Sequence, residues 1–258
     1  MPKLGWKPDA PKAAHEKPDL DAHLMLRAAP PPPPAANIRH LVVDVLNQGG
    51  LGSCVSNAIL QAVRCSHVKQ GVQNAKIGSR LFGYYLSRAY HHDTANDSGT
   101  YLRLFFQALA KFGFCAEDIY PYDDGPEKFK QMPSMAAFRA AFDQANPTTY
   151  RRISATGADR LDAIKRAIAA GYGVCFGTDV DNAFCSNQLV EPLLPPVSNI
   201  AGGHAMMVGG YDDDIFDICN SWGTGWGHSG WCRFSADYLT SDISRDFWIC
   251  EYAPRYSE

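Results

Sequence analysis

Apolar positions Val55, Ala58, Ile59, Ala62 and Val63 recur at helical spacing behind Cys54, with Gly71 as a stop, and predict a buried helix over Cys54–His67. The same period returns at Ser79–Tyr90, at Tyr101–Phe112 closed by Gly113, at Ser134–Ala145 before Asn146-Pro147, and at Ala158–Ala170 before Gly171. Beyond Gly171 the pattern shortens to strand-like runs at Val174–Val180, Ala205–Tyr211, Ile215–Asn220, Gly230–Ser235 and Phe247–Tyr252, separated by glycine and aspartate turns. Helices first and strands afterwards predict an α+β chain of two lobes with a cleft between them. Residues 1–37 differ: Pro30–Pro34 form a polyproline spacer, preceded by an N-terminal arm with one short predicted helix over Asp19–Ala28. The predicted division is therefore an arm over 1–37 and a main unit over 38–258, its lobes meeting near residue 147.

The 258 residues are 46% hydrophobic, as expected of a globular chain with a sizeable core. A formal charge of −3 gives no basic field for nucleic acid or an anionic membrane, and no apolar run is long enough for a span. Residues Met1–Asp9 lack the apolar core of a secretory leader, so the compartment is cytoplasmic unless a leader has been removed, in which case it is periplasmic or extracellular. Eight cysteines are many for a reducing compartment, yet none are spaced C-x-x-C; with Cys54 set aside, seven remain, so at least one more must be unpaired within the chain. His91-His92-Asp93 with Asp97 offers metal-capable side chains without a third convergent ligand and reads as a solvated loop, and Asp212-Asp213-Asp214 reads as a turn. No metal and no cofactor are assigned.

Three stretches carry chemistry. In the first, Gln48 stands six positions before Cys54 across a glycine-rich loop, and Cys54 opens a helix, where a thiolate is favoured. The Gln48 amide and the Cys54 N–H are there able to surround one developing oxyanion. Taken alone, Cys54 is better read as a small core cysteine at a helix start. In the second, Gly202-Gly203-His204-Ala205 places a histidine at a strand mouth, either as a proton acceptor for a thiol or as a hydrogen-bonded surface histidine. In the third, Asn220-Ser221-Trp222-Gly223-Thr224-Gly225-Trp226-Gly227 offers an amide to orient the imidazole and an indole to shelter that bond, or a hairpin with two packing tryptophans. The intervals 204 − 54 = 150 and 220 − 54 = 166 approach the 130–150 expected between Cys and its His and Asn in one protease family.

The three blocks resemble the active-site blocks of papain-like cysteine peptidases, over about residues 41–250. Ser98-Gly99-Thr100 and Gly113…Tyr120-Pro121-Tyr122 resemble the family's substrate-binding loop and the segment after it. The resemblance implies a helical left lobe, a β-barrel-like right lobe and an active site in the cleft, acting on a peptide or protein substrate as a monomer without cofactor. It implies Cys54 as nucleophile, His204 as base and acid, Asn220 as orienting group and Gln48 as oxyanion donor. Gly52, Ser53, Ser98, Gly99, Thr100, Gly203 and Trp222 would line the substrate path. Cys, His and Asn fix acyl transfer but not its acceptor, so a transferase, amidase or deamidase is the rival reading, with a silent peptide-binding protein behind it.

The sequence departs from the family at Leu51, where the usual motif has a cysteine, so the loop before Cys54 is expected to hold its shape by packing rather than by the usual left-lobe disulfide. Val55 replaces an aromatic residue. The arm is shorter than the family's usual helical pro-region; with Trp6 as an aromatic anchor, the sharper expectation is that it lies over the cleft and restricts access, the plainer one that it packs elsewhere or is disordered.

Overall fold

The computed structural model describes residues 3–12, 19–22, 30–143, 148–196 and 198–252. Four helices build one lobe: α1 (Cys54–Lys69), α2 (Arg80–Ala89), α3 (Leu102–Phe112) and α4 (Met135–Asp143). α1 is buried on every side from Cys54 to His67, so its polar residues need internal partners. Gln61 Nε2 donates to the Asp44 carbonyl at 3.1 Å, Ser56 Oγ to the Arg80 carbonyl at 2.6 Å, and Arg64 pairs with Asp44. α3 ends where Gly113 takes φ 69, a left-handed conformation that suits glycine.

The other lobe is a seven-stranded antiparallel sheet: β1 (Ala35–Asn37), β2 (Thr148–Ile153), β3 (Val174–Asp181), β4 (Ile200–Asp212), β5 (Ile215–Cys219), β6 (Trp231–Ser235) and β7 (Ser244–Tyr252). Pairing runs β2-β7-β3-β4-β5-β6, with β1 added to β4; the expected barrel-like lobe is thus an open path ending at β2 and β6. α5 (Gly157–Ala169) and the short α6 (Asn182–Cys185) and α7 (Ala236–Thr240) accompany the sheet. α1 packs against β4 and β7, so one buried core spans both lobes and fixes the cleft between them.

The predicted helices and strands recur with small shifts at their ends. β2 and β1 were not predicted. β2 carries the polar run Thr-Thr-Tyr-Arg-Arg-Ile, held by β7 rather than by its own pattern. The arm differs more. Asp19–Ala22 are non-helical, Asp21 bridging Arg152, and residues 23–28 of the predicted helix lie outside the described residues. The proline run lies on the sheet lobe: Tyr211 Oη donates to the Pro33 carbonyl at 2.8 Å and Asp213 N to that of Pro34 at 2.9 Å. The spacer therefore leads directly into β1. All eight cysteines are free and buried. Among the described residues there is no cluster able to hold a metal ion and no helix long and apolar enough to cross a membrane.

Candidate active site

Cys54 begins α1 and faces the start of β4. The Ala205 and Gly5 N–H groups, with those of Val55 and Cys54 itself, draw its thiol pKa down. His204, adjacent on β4, bonds Asn220 Oδ1 through Nε2 at 2.7 Å, and its Nδ1 is buried without a hydrogen-bond partner. Asn220 Oδ1 also accepts from Ser221 N at 2.7 Å, which fixes the amide's orientation. Trp222 stacks on the imidazole with ring centroids 4.5 Å apart, and Phe184 packs against Trp222 and Trp226. The sheltering indole is therefore part of an aromatic cluster that keeps water from the His204–Asn220 bond.

Gln48 is held from both ends. Its Oε1 accepts from Ser221 Oγ at 2.7 Å, while Nε2 donates to the Leu51 carbonyl at 2.8 Å and to the Lys3 carbonyl at 2.9 Å. The loop between Gln48 and Cys54 does more than pack. Asp124 accepts from Gly50 N at 2.7 Å, Asp97 accepts from Gly52 N at 3.0 and 3.1 Å through its two oxygens, and Tyr122 Oη donates to the Gln48 carbonyl at 2.8 Å. Carboxylates on backbone N–H groups supply the constraint that the missing disulfide would have given. Asp124 was not singled out in the sequence, and Asp97 only as a metal-capable side chain beside His91-His92-Asp93, because each acts through loop N–H groups remote in the chain.

The arm runs through the cleft. Trp6 N donates to the Gly203 carbonyl at 3.1 Å, Thr100 N to the Gly5 carbonyl at 2.8 Å, and Lys7 N to the Thr100 carbonyl at 3.0 Å. Gly99, at φ 72, has no room for a side chain: a Cβ there would lie 2.0 Å from the Gly5 oxygen. Of the predicted substrate loop, Gly99 and Thr100 make these close backbone contacts. Ser53 points elsewhere, its hydroxyl 2.6 Å from Tyr122 Oη. The Trp6 indole, 5% exposed, lies flat on β3 and β4, where a Cβ on Gly177 would come within 1.9 Å of it and one on Gly203 within 2.7 Å.

Beyond Lys7 a charged cluster fixes the arm. Asp9 N donates to Asp246 Oδ2 at 2.7 Å, Asp246 Oδ1 meets Arg152 at 2.7 Å, and Arg103 donates to the Ala10 carbonyl at 2.7 Å and to Asp19 at 3.1 Å. Burial, and then the charge of Asp246, push Asp9 up to about 6 against the opposing pull of Arg103 and Arg152.

Gln48, Cys54 and His204 are all 0% exposed beneath this arm. Burial pushes the Cys54 thiol up to about 11, overriding the pull of these N–H groups, and pushes His204 down to about 4 against the pull of Asn220. The lowered thiol pKa expected at a helix start is therefore not found in this covered state, because desolvation outweighs the helix end.

Comparison with known proteins places these residues in context. The chain matches the papain family cysteine protease profile over residues 33–248. It is 33% identical over 217 residues to a peptidase C1-like protein of Acanthamoeba polyphaga mimivirus, covering 80% of this chain and 69% of that one. A cathepsin B-like protein of Giardia intestinalis is 27% identical over 203 residues, covering 75% and 64%. Among solved structures, xylellain, a cysteine protease from Xylella fastidiosa, superposes with a TM-score of 0.83 at 27% identity, over 97% of this chain and 96% of that one. The proform of a ragweed pollen cysteine protease shares the fold, with a TM-score of 0.68 at 17% identity over 89% and 68%.

Proposed function

The chain belongs to the papain family of cysteine proteases, and from that premise we propose that Cys54 is its nucleophile, His204 its general base and acid, Asn220 the orienting group and Gln48 the oxyanion donor. The observation that carries this assignment is the His204 Nε2–Asn220 Oδ1 bond of 2.7 Å under Trp222. It commits one ring nitrogen and leaves Nδ1 for the thiol of the neighbouring Cys54. In the reaction His204 takes the thiol proton and the sulfur attacks the peptide carbonyl. The oxyanion is held by Gln48 Nε2 and the Cys54 N–H. His204 then returns the proton to the leaving amine, and water resolves the acyl-enzyme by the reverse sequence. Gly52, Gly99, Thr100 and Gly203 supply backbone along the path, flanked by Ser53, Ser98 and Trp222. One chain carries the whole set, so a monomer suffices.

Residues 1–37 act as a regulatory arm on the unit that follows, and Lys3–Lys7 close the cleft. Support comes from the buried Cys54, from the Lys3 carbonyl on the Gln48 donor, and from the Gly5 N–H, which acts on the Cys54 thiol. Peptide enters when this short segment lifts. Labelling with a thiol-directed epoxide tests both parts. One label at Cys54 is expected, slowed strongly in His204→Ala and accelerated in Trp6→Ala, and Cys54→Ala should lower turnover on the order of 10⁴- to 10⁶-fold. Equal labelling of several cysteines regardless of His204 would remove the catalytic assignment; no acceleration in Trp6→Ala would remove the arm's role.

A further inference from the structure

Lys3 makes two contacts at the cleft. Its carbonyl accepts from Gln48 Nε2 at 2.9 Å, and its ammonium reaches Asp97 Oδ2 at 2.6 Å. One residue thus spans the distance from the oxyanion donor to a carboxylate. That carboxylate is set firmly: both oxygens accept from Gly52 N, and Tyr84 Oη donates to Oδ1 at 2.5 Å while itself accepting from Gly99 N at 3.1 Å. Asp97 is therefore braced between the loop that leads to Cys54 and the loop along which the arm runs. Its side chain is 7% exposed, against 50% for Lys3, so the anion belongs to the site and the cation comes from the arm.

We propose that Asp97 is a specificity-determining residue, taking in the place of Lys3 the cationic side chain of a lysine or arginine whose own carbonyl is the one attacked. The inference rests on Gln48 marking the carbonyl site and Cys54 being the nucleophile. When Lys3 leaves, Asp97 keeps only neutral hydrogen-bond donors; the Arg88 guanidinium feels its charge but bonds the Thr94 and Asn96 carbonyls instead, so the carboxylate has no cation in contact, which is costly at a shielded site. A basic side chain at that carbonyl restores the pair, whereas glutamine or leucine leaves the charge unpaired and glutamate adds a second like charge. Cleavage on the carboxyl side of basic residues follows. Lysine also explains how the arm holds the same place: it offers the cation while the Gly5 N–H acts on the Cys54 thiol.

Fluorogenic peptides that differ only at this residue, carrying Lys, Arg, Gln or Leu, test the inference with the full-length chain and with its Trp6→Ala variant. Mass analysis of the products identifies the bond cut. Lys and Arg should exceed Gln and Leu at least about tenfold in kcat/KM, and the ratio should fall below about threefold in Asp97→Asn, matching the loss of a charge-assisted contact. Because Asp97 also holds Gly52, all peptides slow in that variant, and the ratio is the readout. Should the variant not fold, salt decides with the unaltered chain: the Lys to Gln ratio should drop between about 0.05 and about 1 M salt. A ratio near one, a ratio kept in Asp97→Asn, or a ratio indifferent to salt overturns the inference. Absent cleavage of every peptide, together with an unlabelled Cys54, removes the catalytic assignment and this inference with it.

Discussion

At Cys54, helix end and burial act in opposite directions. The start of α1 and two N–H groups favour the thiolate, but under the arm the thiol is pushed up to about 11 by loss of water, and His204 down to about 4. The covered site therefore holds a neutral thiol beside a neutral imidazole. At pH 7 about one molecule in 10⁴ carries the thiolate, a deficit of about two decades against an ordinary thiol near 9. Alkylation by iodoacetamide should show this directly. In the full-length chain the rate is expected to climb about tenfold per pH unit from pH 7 towards pH 10, whereas Trp6→Ala should plateau at much lower pH and react faster at neutrality. A plateau at the same pH in both chains would mean that something other than the arm sets the thiol. The sequence pointed to Cys54, His204 and Asn220 as candidates, since their flanking glycines and tryptophans are local. It did not reveal the protonation states, which depend on a segment about fifty residues upstream.

Elements were legible where their own side chains bury them. α1 repeats Val55, Ala58, Ile59, Ala62 and Val63 at helical spacing and β4 runs through Ala205-Met206-Met207-Val208, so periodicity alone locates both. β2 escaped because its residues are polar and it exists by pairing with β7, with Tyr150 against Phe106 and Trp248. β1 escaped because three residues carry no period. The paired strands β3 and β4 also make a floor that composition cannot reveal. Gly177 stands opposite Ala205, and Gly203 opposite Asp179, leaving a flat area the size of an indole. Gly177→Val is expected to expel Trp6, since its Cβ would fall 1.9 Å from the ring, while a β-branched residue suits an interior strand position. The variant should stay folded, lose several degrees in Tm with the indole's burial, and label at Cys54 with iodoacetamide at least about tenfold faster at pH 7. Unchanged labelling would mean that the floor does not seat the arm.

Over the whole molecule, the arm ties the helical lobe to the sheet lobe: Lys7 bonds Thr100 before α3, Trp6 bonds Gly203 on β4, and Asp9 lies among Arg103 of α3, Arg152 of β2 and Asp246 of β7, with Asp19 beyond. Closure is thereby linked to protons at two places with opposite sign. Asp9 rises from 3.8 to about 6 on closing, so closure gains stability as pH falls through about 6 and that gain is lost again as pH rises. His204 stands at about 4 against an ordinary 6.5, and the share of that depression which the arm's cover supplies, beyond that of Trp222 and Phe184, makes closure lose stability as pH drops from 6.5 towards 4. The two windows overlap with opposite sign, so Asp9 offsets His204 and closure in the unaltered chain should vary less between pH 4 and 6.5 than either group alone would make it. Asp9→Asn removes one side of this balance while keeping an oxygen for the Arg103 N–H, 3.2 Å away. It should close more firmly at pH 7, where the parent carries a buried charge beside Asp246, and should open on acidification as His204 protonates. Hydrogen exchange of the Trp6 and Lys7 amides, corrected for intrinsic rates, reads closure through their bonds to Gly203 and Thr100. Protection in Asp9→Asn should fall at least about tenfold from pH 7 to pH 4 and fall less in the parent. A parent that loses protection as steeply would show that Asp9 does not offset His204, leaving the imidazole alone to set the pH at which the cleft opens.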